Sequence, residues 1–274
     1  MQTVTRRRFL EGSATGIAAT GFGVSSICAQ DWARQAVDKS PRRREWVSVK
    51  HGARSVESFV AYPQSQAKAP AMVVIHEIFG MTDWVESVAD EFAEAGYLAV
   101  APDLLSGMAP NGGRTKDLPA GGAGQVIGKL PPDQITADLN AVVDYCRKLP
   151  SCNGKVCVVG FSWGGGQTFR FATNRKDLSA ACVFYGNGPA AEAIPNIQAP
   201  VYGFYAGNDA RINATVPATQ EQMKAAGKTF EAVTYEGSAH GFMRAGAQPD
   251  ATDANKKARA EAWVKLKALR DKLK

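Results

Sequence analysis

The sequence predicts one doubly wound α/β domain, with a mostly parallel sheet and an antiparallel N-terminal hairpin. Three observations lead there. Ala71-Met72-Val73-Val74-Ile75 and Val156-Cys157-Val158-Val159 are continuous apolar runs, which suit strands covered on both faces rather than strands with one wet side. Between such runs lie segments of helical spacing, such as Val85, Val88, Phe92 and Ala95, which ends at Gly96. The two patterns then alternate toward the C-terminus, as repeated strand–helix units around one sheet require.

The elements follow in order. Trp46–Val49 and Ser58–Tyr62 alternate about a His51-Gly52 turn and predict the opening hairpin. Strands are expected at 71–75, 97–102, 156–159, 181–185, 201–205 and 230–235, and a helix carries Ile135, Leu139, Val142, Cys146 and Leu149 on one stripe. Residues 105–132 are rich in Gly and Pro without periodicity, and their length suggests an active-site loop or cap. The last helix has Ala262, Leu266, Leu269 and Leu273 on one face, and its lysines read as a solvated face.

At 274 residues, 45% hydrophobic and 21% charged, the chain can bury one sizeable core. The formal charge of +6 sits at the two ends, while residues 59–252 are net acidic, which argues against nucleic-acid binding. Thr5-Arg6-Arg7-Arg8-Phe9-Leu10 ahead of a mildly apolar Gly/Ala/Ser stretch reads as a twin-arginine signal over residues 1–29, cut after Ala29. The expected organisation is therefore signal 1–29, linker 30–43 and catalytic domain 44–274. The twin-arginine (Tat) machinery becomes an expected partner and the periplasm or exterior the expected location. No later segment approaches the roughly 18 uninterrupted apolar residues of a membrane span.

Cys146, Cys152, Cys157 and Cys182 are too sparse for a disulfide scaffold. Cys157 and Cys182 read as small core residues, whereas Cys146 and Cys152 flank a helix end and can pair after export. No Cys or His spacing suggests a metal, and no cofactor is expected.

Gly160-Phe161-Ser162-Trp163-Gly164 follows a buried-type strand and precedes a helical segment, the strand-to-helix elbow that exposes a serine oxygen at the top of a sheet. A serine hydroxyl needs a base, and histidine titrates in the useful range. Of the three histidines, His51 reads as a surface turn residue and His76 as a support for the oxyanion region. His240 follows the last strand, where the chain order Ser, acid, His puts the base. Asp209, after the strand at 201–205, is the candidate acid that orients His240; Asp103 reads as a loop-ordering residue.

His76-Glu77-Ile78-Phe79-Gly80, Ala101-Pro102-Asp103-Leu104, Gly160–Gly164, Gly207–Asp209 and His240-Gly241-Phe242 together resemble the dienelactone hydrolase (carboxymethylenebutenolidase) family across residues 45–270. The resemblance implies the α/β-hydrolase fold, a small ester or lactone substrate, and an oxyanion hole from the Ile78 and Trp163 amides. It also implies that Glu77 lies beside the nucleophile and governs its protonation; a buried ion pair is the alternative reading. Arg244 matches a substrate-binding arginine of the family. Two departures stand out: this elbow carries Ser162 where well-studied members have cysteine, and Gly107 stands where they have a second arginine.

A serine esterase or lactonase using Ser162, His240 and Asp209 is the leading expectation. A peptidase or polyester hydrolase with the same triad, and a non-catalytic binding protein on this scaffold, are the alternatives. With Gly107 replacing one arginine, neutral short-chain substrates are expected, with a modest preference for anionic ones through Arg244 unless Arg114 or Lys116 folds back to restore charge.

Overall fold

A computed structural model describes residues 30–274, so the signal expected over residues 1–29 lies outside the described residues. β1 (Arg44–His51) and β2 (Arg54–Ala61) form the expected hairpin, with Gly52 in the turn at φ +53°. β3 (Ala69–Ile75), β4 (Leu98–Pro102), β5 (Cys152–Phe161), β6 (Ala180–Phe184), β7 (Val201–Asn208) and β8 (Phe230–Ala239) complete an eight-stranded sheet ordered β1-β2-β4-β3-β5-β6-β7-β8. The β1–β2 and β2–β4 pairs are antiparallel, and every later pair is parallel.

The continuous apolar runs are explained by what covers each face. Met72 and Val74 point into a core closed by α1 (Asp31–Lys39), α2 (Asp83–Glu94) and α9 (Asp253–Lys272). Ala71, Val73 and Ile75 point the other way, into a core closed mainly by α4 (Pro132–Lys148). With both faces buried, alternation disappears from the strands. α5 (Trp163–Asn174) and α7 (Val216–Ala225) cover the remaining part, where Phe169 and Met223 meet beneath β6 and β7.

Sheet order also fixes where a site can form. From β3 the chain moves outward to β4 on one side and returns to β5 on the other, so the connections leaving the C-terminal ends of β3 and β5 diverge. Such a switch point leaves a crevice between the two departing segments. Ile78 follows β3 and Ser162 follows β5.

Three expectations are corrected. Residues 31–39 of the expected linker are helix α1, which buries Ala33 and Val37 in the core and joins α2 through Arg34 to Glu86 (3.0 Å) and Asp83. The linker reading failed because this short, charged helix has only two buried apolar residues to signal its face. Residues 105–132 do not cap the crevice. They form short turns and α3 (Gly122–Val126), and Leu105, Ala123, Ile127 and Leu130 sink into the core beside α4. His51 likewise is no plain surface residue: its Nε2 lies 2.7 Å from the buried Asp138 on α4, a carboxylate that also accepts from Arg54.

The C-terminal helix offers a direct test of this packing. Leu266 is fully buried, whereas Val264 is 68% exposed. Leu266→Ala should cost about 2–5 kcal/mol and Val264→Ala no more than about 0.5 kcal/mol, read from urea unfolding curves.

Candidate active site

β5 ends at Phe161, and the chain reverses at Ser162 with φ 55° and ψ −113° before α5 begins at Trp163. A non-glycine residue held there costs on the order of 1–3 kcal/mol, so the surroundings must impose it. They do so by close backbone approach. A Cβ on Gly160 would lie 2.1 Å from the Gly164 carbonyl oxygen, one on Gly164 would lie 2.4 Å from that of His76, and one on Gly165 would lie 2.5 Å from that of Phe184. The Ser162 amide donates to the Phe184 oxygen at 3.0 Å and so ties the turn to β6.

The turn presents Ser162 to His240. Ser162 Oγ donates to His240 Nε2 at 2.8 Å, and His240 Nδ1 donates to Asp209 Oδ2 at 2.5 Å. Asp209 is buried, and its other oxygen accepts from the Ile212 amide at 3.3 Å, capping the one-turn helix α6 (Ala210–Asn213). A register shift between β7 and β8 at Ala206/Asn208 precedes this turn. Such irregularities redirect a strand end. Gly241, at φ 81°, lets the chain turn from His240 into α8 (Phe242–Ala245).

Ile78 and Trp163 both line the same crevice. Trp163 opens α5, so its N–H has no carbonyl four residues earlier to bond within the helix. Ile78 lies in the turn after β3, and its residue is 40% exposed. Both residues line a cleft of about 410 Å³ that also contains Ser162 and His240. His76 supports this wall: it is fully buried, its Nδ1 donates to the Glu77 carbonyl at 2.8 Å, its Nε2 accepts from the Leu104 amide at 3.3 Å, and its ring stacks on Trp163. Burial lowers its pKa, which keeps the ring neutral as those two bonds require.

Glu77 and Arg244 meet each other, with Arg244 Nε 2.7 Å from Glu77 Oε2. Burial alone would depress the Arg244 pKa, but the Glu77 charge and hydrogen bond outweigh it and raise the value. Neither residue is among those lining the cleft. Arg114 lies elsewhere, over the Trp46 ring of the hairpin at 3.5 Å, and Gly107 sits beside Arg54 in a different hollow. Asp103 orders its loop as expected, accepting from the Leu105 and Thr115 amides at 3.1 and 2.9 Å.

The cleft includes residues that sequence reasoning passed over: Gln167, Tyr185, Asn187 and Arg211. Tyr185 is held at φ 38° with its ring centroid 5.0 Å from that of His240, and burial pushes its pKa well up. The available signal for Arg211 was its place two residues beyond Asp209, within one helical turn of the candidate acid.

A profile of the dienelactone hydrolase family matches residues 56–272. The chain belongs to the dienelactone hydrolase family. A protein of Methylorubrum extorquens described as "Putative carboxymethylenebutenolidase" is 29% identical over 199 residues, covering 68% of each chain. The crystal structure of a protein from Klebsiella pneumoniae, described as "Putative Dienelactone Hydrolase", superposes with a TM-score of 0.72 at 24% identity, covering 85% of this chain and 99% of that one. A dienelactone hydrolase-like promiscuous phosphotriesterase from metagenomic libraries superposes at 0.71 with 20% identity, covering 85% and 99%. The fold is that of the α/β-hydrolases, and the family is one of hydrolases of small molecules.

The elbow can be tested by glycine substitution. Gly164→Ala meets backbone at 2.4 Å and should destabilise by at least about 1–3 kcal/mol. At Gly166 the nearest atom lies 3.9 Å from the added carbon, so Gly166→Ala should be neutral or stabilising by about 0.5–1 kcal/mol in thermal melts.

Proposed function

We propose that this protein is a serine hydrolase of small carboxylic esters or lactones, with Ser162 as nucleophile, His240 as general base and acid, and Asp209 as the group that orients His240. The observation that carries the reading is the continuous hydrogen-bonded chain from Ser162 Oγ through His240 to Asp209, at the mouth of the switch-point cleft. His240 Nε2 takes the hydroxyl proton as Oγ attacks the carbonyl carbon. The amides of Ile78 and Trp163 hold the resulting oxyanion, and Asp209 stabilises the protonated imidazole. His240 then returns the proton to the departing alkoxide, and water clears the acyl-enzyme by the same route. Lactones enter the proposal through the carboxymethylenebutenolidase description carried by relatives.

Cysteine chemistry is disfavoured by the surroundings of the thiols. All four described cysteines are buried; burial raises the pKa of Cys146 and Cys157 and pushes Cys182 up to about 12. Thiolates at these three positions are therefore scarce at neutral pH. A fluorophosphonate probe should label wild type and not Ser162→Ala. Ser162→Ala should lose at least about a thousandfold in kcat/KM on a 4-nitrophenyl ester. Thiol-blocking reagents should leave wild-type activity intact; inhibition by them, with activity kept in Ser162→Ala, would overturn the assignment.

Export by the twin-arginine route is a second part of the proposal, supported by Arg6-Arg7 ahead of the weakly apolar stretch. Replacing Arg6 and Arg7 by Lys should retain the precursor in the cytoplasm on cell fractionation. Mature protein still found outside would sink this part.

A further inference from the structure

One polar side chain at the cleft is held by its neighbours in a fixed orientation. Gln167 lines the cleft and lies one helical turn after Trp163, so the two share a face of α5. Side chains on a helix lean toward its N-terminus, and here that end carries Ser162. Gln167 sits about 7.5 Å along the axis from Ser162, and its side chain leans back over part of that span.

Arg170, a further turn along α5, donates from Nε to Gln167 Oε1 at 3.0 Å. Its other two nitrogens donate to Thr136 Oγ1 at 3.0 Å and to the Pro132 carbonyl at 2.9 Å, both at the start of α4. All three acceptors are neutral. Burial lowers the Arg170 pKa, and the charge of Asp133 offsets that only in part. A guanidinium has donors and no acceptor, so the Gln167 atom that meets it must be the carbonyl oxygen. The amide cannot turn over without setting N–H against N–H. Its NH2 group is left on the side away from Arg170, and Nε2 has no acceptor among the described residues. Asn187, the other amide of the cleft, is exposed, and no side-chain hydrogen bond fixes it among the described residues.

We infer that Gln167 is a specificity-determining residue of this site: its fixed amide donates a hydrogen bond to a second, uncharged oxygen of the substrate, and Arg170 is the positioning residue that keeps the donor turned to the cleft. This rests on the hydrolase reading above and names a substrate class within it. Preferred substrates are then small esters or lactones that carry a keto or ether oxygen roughly three to five bonds from the scissile carbonyl carbon, a separation set by the helical rise.

The test compares kcat/KM within matched ester pairs that differ by one oxygen function: 4-nitrophenyl 5-oxohexanoate against 4-nitrophenyl hexanoate, and 2-methoxyethyl butanoate against butyl butanoate. Dividing each ratio by that of alkaline hydrolysis removes the intrinsic reactivity of the esters. In wild type at least one of the two corrected ratios should stand at roughly 3- to 10-fold, as one net hydrogen bond allows. Gln167→Met, close in shape but without a donor, should bring it to near one, chiefly through KM. Gln167→Glu keeps a partner for Arg170 but presents an acceptor in place of the NH2 group, and should bring the ratio below one. Arg170→Met frees the amide to turn and should lower the ratio partway; Arg170→Lys, which can still donate to Oε1, should restore it. A purely structural role for the Gln167–Arg170 contact would lower stability, or turnover of both members of a pair alike, and would leave the ratio unchanged in every variant, which overturns the inference. A wild-type ratio near one also overturns it, as does a preference that is lost in Asn187→Ala and kept in Gln167→Met. In each of those outcomes esters are still turned over and the hydrolase reading stands. If wild type hydrolyses no ester and takes up no fluorophosphonate, the hydrolase reading itself falls and this inference with it.

Discussion

Everything at the cleft depends on how closely α5 approaches the ends of β3, β5 and β6. The Gly164 α-carbon lies against the carbonyls of Ile75 and His76, and Gly165 lies against that of Phe184 and against Gly186. No side chain fits in that space, so the helix can start immediately after Ser162 only if these positions carry hydrogen alone. The unfavourable backbone of Ser162 follows from this contact. Its strain is a local cost offset by the burial of Phe161, Phe169 and Phe171 on either side. A looser junction would relax Ser162 and carry its hydroxyl away from the imidazole.

A second layer of polar contacts holds the walls of the cleft. His76 links three segments at once: the Glu77 carbonyl after β3, the Leu104 amide after β4 and the Trp163 ring at the start of α5. Its buried, neutral ring satisfies backbone groups that no regular element reaches, as buried polar groups require. Asp103 does the same for the following loop. Glu77 and Arg244 connect the two ends of the sequence beneath the candidate base, for a residue after β3 is bonded to one on α8. Removing either partner would leave a charge stranded out of water, so the pair is retained or lost as a unit.

Much of this was legible in the sequence, for identifiable reasons. Strands such as Ala71–Ile75 announced burial on both faces, and the Gly160–Gly164 motif carried its own steric logic. Chain order singled out Ser162, Asp209 and His240, which the structure joins by hydrogen bonds, because the fold brings strand ends together whatever the loops contain. The misses lie where neither periodicity nor order speaks. Helix α1 has too little apolar surface to betray itself, and the segment 105–132 buries scattered residues without any repeat. Arg211 reaches the cleft from a one-turn helix that follows the β7–β8 register shift, a feature of pairing that single-chain patterns do not encode.

Helix α1 bears on how the chain would be processed. Gln30 is buried at its start, and its side-chain oxygen accepts from the Trp84 amide at 2.7 Å. Arg34 and Arg42 fasten the following residues to α2 through Asp83, Glu86 and Asp90. Peptidases act on extended, accessible backbone, which a residue anchored against a folded domain does not offer. If the leader proposed over residues 1–29 is removed after Ala29, the cut falls beside a residue that is anchored to the folded domain, and the clasp of Gln30 and Arg34 on α2 would then act as a timer that sets how long the leader stays attached.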